Sequence, residues 1–411
     1  MSQVRAGVSR RAVLALPPAL ALLAALPGTA SAVRAGAAGS GFGWGFNGYG
    51  QVGDGTSANR AVPVPTALPA GVTATAVSVG VEHALAIGSN GAAYSWGQND
   101  YGQLGTGTQA ARTAPGLVAL PAGVTARAVS AGSRHSLVAG SDGGVWVFGG
   151  NDAGQLGTGT LYSSRTPTRI ALPGAVAAVE VSAGYSHSAA IGADGHVYTW
   201  GTVASGILGR AGDNRVPGPV LTSGLPLPNV TAIAAGGDHT LAVAGGRAYA
   251  WGANVAGQLG DNTDVTRFEP VPVWDVSVGG PVRQIAAGYR HSLAVTASGA
   301  VYAWGNNFAG ELGNGLCSQT GPGVGMTWFR PGPVSLPPAT VAVSVGGGMN
   351  HSAAVTSTGQ VHAWGMNIYG QMGDGTTGAS HLTPTPVTLP AGRKASAVAV
   401  GHNTALTITT P

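Results

Sequence analysis

The chain of 411 residues contains a single cysteine, Cys317, and a single lysine, Lys394. One thiol excludes an intramolecular disulfide, so the fold must be held by its core, and a chain of this length buries enough surface to manage that. Charged residues make up only 8% of the chain, and no basic run of five or more occurs. That removes the electrostatic footprint of a nucleic-acid binder and leaves little long-range steering of any partner. No stretch carries the apolar period of an amphipathic helix. The longest uncharged apolar run, Ala12–Leu26, is interrupted by Pro17 and Pro18 and falls short of the roughly 20 residues that a membrane-spanning helix requires. No nucleophile elbow, EF-hand or lysine-bearing phosphate loop is present. Asp261-Asn262-Thr263-Asp264, Gly53-Asp54-Gly55-Thr56 and Gly373-Asp374-Gly375-Thr376 therefore read as surface turns. No cofactor and no metal are expected.

The apolar run at 12–26 follows Arg5, Arg10 and Arg11 and precedes the small residues Ala30-Ser31-Ala32, the pattern of a cleavable signal peptide over residues 1–32. Within it, Ser9-Arg10-Arg11-Ala12-Val13-Leu14 resembles a twin-arginine export signal. The expectation is an exported protein, secreted or associated with the cell envelope, whose mature chain opens at Val33 with a short linker over 33–40. Residues 1–32 hold three arginines and no acid, so the remainder carries 16 basic against 15 acidic side chains. The basic balance of the whole chain lies mostly in the signal.

Glycine, by contrast, is abundant at 70 residues, and it is organised. A phrase of the type W-G-x-N-x-x-G-Q-L-G opens at Trp44, Trp96, Phe148, Trp200, Trp251, Trp304 and Trp364, with steps of 52, 52, 52, 51, 53 and 60 residues. A fixed period near 50 signals stacked or radially arranged β units. Within one unit, Ala128–Ser130, His135–Ala139 and Val145–Phe148 alternate as short strands separated by turns, and the proline-containing stretch Thr166–Ile170 suits an outer edge strand. Four strands per unit and seven units predict an all-β, seven-bladed β-propeller of four-stranded blades over residues 41–411. The first phrase, Gly41–Gly45, lacks an upstream strand pair, and the final strands, Ala397–Val400 and Thr404–Ile408, lack a downstream one. The N-terminal strand is therefore expected to complete the C-terminal blade and close the ring.

The paired phrases S-x-G-x-x-H-x-L, as in Ser130–Leu137, and W-G-x-N-x-x-G-Q-L-G, as in Trp96–Gly105, resemble the regulator of chromosome condensation repeat, and the likeness covers residues 41–408. The resemblance implies a seven-bladed propeller and protein–protein interaction. With its export signal, the chain resembles a secreted bacterial member of that family. The nucleotide-exchange role of the family's nuclear member does not follow, because export separates this chain from a cytoplasmic GTPase and fold does not fix function.

His83, His135, His187, His239, His291 and His351 share one register, with Thr404 in the last copy. A residue repeated in every unit serves what every unit must do, so these read as structural groups that satisfy backbone of their own blade. The repeated Trp, Gly, Asn and Gln read as packing and turn residues. In the fourth phrase Val203 and Ile207 replace Asn and Gln, a loss expected to be compensated by packing.

Binding is sought where the copies differ. The two residues before each histidine, and before Thr404 in the last copy, form seven turns expected to ring one face around the channel: Val81-Glu82, Ser133-Arg134, Tyr185-Ser186, Gly237-Asp238, Tyr289-Arg290, Met349-Asn350 and His402-Asn403. Their polar and aromatic members are candidates for recognising a protein or glycan. The long last step places Cys317, Met326, Trp328 and Phe329 in a loop that offers a second apolar surface. The expected function is a non-enzymatic, monomeric binding propeller. The alternatives are a hydrolase or lyase in the channel mouth, with Glu82 and Asp238 as the only acids of the ring, and a structural envelope component.

Overall fold

A computed structural model describes residues 33–276, 279–318 and 327–411. The expected signal peptide and Met326 lie outside these residues. Seven blades surround an axis. Blade 1 comprises Ala74–Val79, His83–Gly88, Ala93–Gly97 and Arg112–Leu117 in antiparallel order. Blade 2 repeats this with Ala126–Ala131, His135–Gly140, Val145–Gly149 and Ser164–Ile170. Blades 3 to 6 begin at Ala178, Val230, Val282 and Ala342. Blade 3 alone has a two-residue outer strand, Gly218–Pro219, followed by a small hairpin of Leu221–Thr222 with Leu225–Pro226.

Blade 7 joins the two ends of the chain. Lys394–Val400 and Thr404–Thr410 supply its inner strands, Val33–Gly45 its third, and Arg60–Pro65 its outer one. Ser40–Gly45 pair in continuous antiparallel register with Thr409–Thr404. The closure expected from the two incomplete fragments is present, and the N-terminal part contributes two strands where one was anticipated. The stretch 33–40, expected as a linker, is strand as well, with Val33 and Arg34 paired to Val77 and Ala76 of blade 1.

No single central core exists; the apolar side chains form seven layers between neighbouring blades. Leu137, Val147 and Leu156 of blade 2, for example, pack with Val181, Ala190 and Trp200 of blade 3. Trp44, Trp96, Trp200, Trp251, Trp304, Trp364 and Phe148 are fully buried in these layers, and truncating such a side chain to alanine costs about 3–5 kcal/mol. The short inner strands lie close to the axis, where only glycine fits: a Cβ on Gly236 would stand 2.6 Å from the carbonyl oxygen of Gly288 in the next blade.

Candidate functional site: the loop face around the axial channel

Because strands within a blade alternate in direction, the turn between strands one and two and the long phrase loop between strands three and four emerge on the same face. The seven turns form a ring as expected, and main-chain hydrogen bonds weld them together. Val81, Ser133, Tyr185, Gly237, Tyr289 and His402 each donate an N–H to the glycine carbonyl of the following blade, at 2.9–3.3 Å, and Met349 donates to the carbonyl of His402 at 3.2 Å. The first residues of the turns, including Val81, Ser133, Tyr185, Tyr289, Met349 and His402, line a narrow axial cavity of about 80 Å³. The second residues radiate outward.

Side chains of the phrase loops fix several of those second residues. Gln258 Nε2 donates to Asp238 Oδ1 at 2.9 Å, and Gln371 Nε2 donates to Asn403 Oδ1 at 3.2 Å. Arg290 pairs with Asp238 at 3.3 Å and lies over the Tyr289 ring at 5.5 Å, while Tyr289 meets Tyr185 edge-on at 5.8 Å. Burial works to raise the Asp238 carboxyl, but the adjacent His239 imidazole, the hydrogen bond from Gln258 and the Arg290 charge outweigh it and hold it below the usual carboxylate range. Arg134 lies over Tyr101 at 4.7 Å. Burial raises the Glu82 carboxyl. Ser186 contributes its carbonyl to Thr202 N–H at 2.9 Å. Glu82 and Asp238 belong to blades 1 and 4 and have separate neighbours, so they are not brought together as an acid–base pair.

Glu311 takes the place of the phrase glutamine in the sixth phrase and is completely buried. Its Oε2 accepts from Ala309 N–H at 2.7 Å and its Oε1 from Asn306 at 2.8 Å. The Asn350 amide nitrogen faces the same Oε1 at 3.2 Å. Burial pushes this carboxyl up to about 7.

The histidines are structural, but they serve the neighbouring blade instead of their own backbone. His83 Nε2 bonds Ser136 Oγ at 2.8 Å, and His135, His187, His239 and His291 repeat the contact with Ser188, Thr240, Ser292 and Ser352 at 2.9 Å. Each hydroxyl donates its one proton to a phrase-loop carbonyl, as Ser188 does to Gln155 at 2.7 Å, so the imidazole must be the donor from Nε2. The same Gln155 carbonyl also accepts from Trp200 Nε1 at 2.8 Å. Blades lie face to face, which puts the start of each second strand against the next blade and not over its own backbone.

Trp328 and Phe329 are on the outer edge strand Thr327–Pro333, away from the ring of turns. Trp328 packs against the core layer of blades 5 and 6. Phe329 leans on the adjoining phrase loop, where a side chain at Gly257 would come within 2.7 Å of its ring. They do not form one site with the turns, and Cys317 is buried. The degenerate fourth loop is repaired by packing and by hydrogen bonds: Ile207, in the glutamine place, is fully buried, Arg210 donates to the carbonyls of Thr199, Asp213 and Val216, and Asn214 to those of Ala153 and Gly201. Asp261 turns inward to Arg267 at 2.7 Å and Asp54 to Arg60 at 2.5 Å, as surface turns would have it.

Further residues reach this face from the phrase loops: Phe46, Tyr49, Tyr101, Val255, Phe308, Ile368 and Tyr369. Val255, Phe308 and Ile368 are 65%, 50% and 53% exposed. Their signal in the sequence is variation at an equivalent position, just before the repeated Asn for Phe46 and between the repeated Asn and the Gln place for the others.

The chain belongs to the regulator of chromosome condensation family. The RCC1-like domain matches residues 145–410 and the regulator of chromosome condensation (RCC1) repeat matches 38–87 and 90–139. The chain is similar to the ultraviolet-B receptor UVR8 of Arabidopsis thaliana, 33% identical over 81% of this chain and 74% of that protein. It is 32% identical to the human E3 ubiquitin-protein ligase HERC2 over 90% of this chain but only 8% of HERC2. Among solved structures, human WBSCR16 superposes with a TM-score of 0.77 and 27% identity, covering 91% of this chain and 99% of that one. Prp20p of Saccharomyces cerevisiae superposes with a TM-score of 0.80 and 23% identity, covering 92% and 93%.

Proposed function

We propose that this propeller is an exported, non-enzymatic binding module that recognises a protein partner through the loop face around its channel. The observation that carries the reading is the concentration on that face of the residues in which the copies differ. Arg134, Arg290 and Tyr185 of the turns and Val255, Phe308 and Ile368 of the phrase loops are exposed there together, and aromatic and arginine side chains on a rigid scaffold are favoured interface anchors. An exposed apolar surface of this kind on a monomeric propeller is what a partner would cover. Yeast Prp20p, a protein of the same fold, has been studied for its binding to Gsp1p and histones; that is a property of Prp20p, and the reading for this chain stands on its own face. Export is supported by the basic, apolar and small-residue pattern of residues 1–32.

The test is affinity capture from the envelope and medium of the producing cell, comparing the mature protein with a variant carrying Arg134→Ala, Tyr185→Ala, Tyr289→Ala and Arg290→Ala. A partner retained by the parent and lost by the folded variant is the expected result. Equal retention by both would remove the binding function from this face.

A further inference from the structure

The loop face is not uniform, and one sector has a composition that selects the charge of what it takes. Where blades 6, 7 and 1 meet, the Phe46 ring packs tilted against Tyr369 at 5.0 Å and edge-on against Tyr49 at 6.1 Å between ring centroids. Tyr49 lies against the half-buried Glu82 carboxylate, whose charge raises the phenol above its ordinary range, and Asp100 acts on both. Asp54, Asp142, Asp213, Asp238 and Asp261 each hold an arginine. Among the described residues Glu82 and Asp100 have no such ion pair; Arg134 lies over Tyr101 at 4.7 Å, and its charge offsets only part of the burial of the Glu82 carboxyl.

Beside the cluster is an unspent donor. Gln51 is completely buried and its Oε1 accepts from Tyr49 N–H at 3.0 Å, but its Nε2 has no partner. The equivalent nitrogens of Gln103, Gln258 and Gln371 are bonded to Gln98, Asp238 and Asn403.

Aromatic faces carry negative potential and attract cations, most strongly where water is partly excluded. We propose that Phe46, Tyr49 and Tyr369, with Glu82 and Asp100, receive a basic side chain, lysine or arginine, of a protein partner, and that Gln51 Nε2 donates to an acceptor brought in by the same segment. The proposal rests on the loop face being the binding face. With so few charges elsewhere on the chain, two unpaired carboxylates decide the local sign.

A fluorescein-labelled hexalysine peptide, with hexaglutamate and a glycine-serine hexapeptide as controls, tests it by anisotropy at low salt. Variants are Glu82→Gln, which keeps shape and removes charge, Tyr369→Leu, which keeps bulk and removes the π face, and Asp152→Asn in the phrase loop of blade 2. Each is first checked for parental melting. The expected result is hexalysine binding alone, weakened roughly tenfold by E82Q and by Tyr369→Leu and unchanged by D152N. No hexalysine binding, equal binding of hexaglutamate, or equal affinity of E82Q and parent would overturn the proposal. If in that case the capture experiment still depends on Tyr185 and Arg290, the face reading survives and only the cation site falls.

Discussion

Blade interfaces 1/2 to 5/6 and the two interfaces that flank blade 7 solve the same problem differently. In the first group a histidine reaches across to a hydroxyl that is itself anchored on a loop carbonyl, as in His135–Ser188–Gln155. Across the 7/1 interface both partners are exchanged together: Thr404 stands for the histidine and bonds the Phe46 carbonyl at 2.6 Å, and Ala84 stands for the serine. Across the 6/7 interface only one is exchanged. Ala405 occupies the serine position, and both ring nitrogens of His351 are buried without a partner. The relay is thus a pairwise device, neutral when both halves are absent and costly when one is. Blade 7 tolerates its loss because its own strands are joined by the continuous Ser40–Gly45 to Thr404–Thr409 ladder.

The largest effect should come from cutting that ladder. Deleting residues 41–45 is expected to abolish cooperative unfolding, read by calorimetry; a deletion protein that melts like the parent would mean blade 7 is not the fastener. Acid should act next, and on the relay interfaces. Burial holds His83, His135, His187, His291 and His351 at about 3, below the ordinary value near 6.5, so the unfolded chain takes up protons first as pH falls. Their contribution to stability is complete above pH 6.5 and drains between 6.5 and 3, at up to about 1.4 kcal/mol per pH unit for each. Glu311 runs the other way: raised to about 7, it favours the fold below pH 4.5 and loses that advantage as pH rises to 7. Denaturant melts from pH 8 to 4 check both signs, and Glu311→Gln should raise stability at pH 8 alone. The smallest effect sharpens the comparison most. Ser188→Ala should cost about 1–3 kcal/mol by leaving His135 unpaired, while Ala405→Ser should gain about 1 kcal/mol by giving His351 its missing hydroxyl. Urea midpoints of the two variants moving in the same direction would refute the relay.

Much of this architecture is legible in the sequence, because period and strand alternation are properties of one unit repeated. The blade boundaries, the ring of turns and the joining of the two ends follow from positions such as Trp44 and Thr404 alone. The relay is harder to read: His83 and Ser136 are 53 residues apart, one beyond the repeat, and nothing in a single unit says that its histidine answers to the next. Arg210 was hidden for another reason, since its role exists only because Val203 removed an asparagine. The aromatic cluster unites Phe46 and Tyr49 with Tyr369, which only the closed ring brings together. Trp328 and Phe329 read as part of a loop because an insertion rich in glycine hides its strand, which runs along the edge of blade 5 with Trp328 half-buried and Phe329 exposed.

The joint in blade 7 also sets an order of events. Its first-made strand and its last-made strand bond across 369 positions of chain, as Thr409 does to Ser40. During synthesis the strand at 33–45 can pair with Arg60–Pro65 but must stand with its other edge unpaired while six blades assemble behind it, and contacts of such long sequence separation form slowly and leave that edge open to misassembly meanwhile. The ring is consequently complete only after Thr404–Thr410 has been made, and any machinery that moves this protein before then handles an open arc with a frayed end, whereas machinery that waits handles a closed disc.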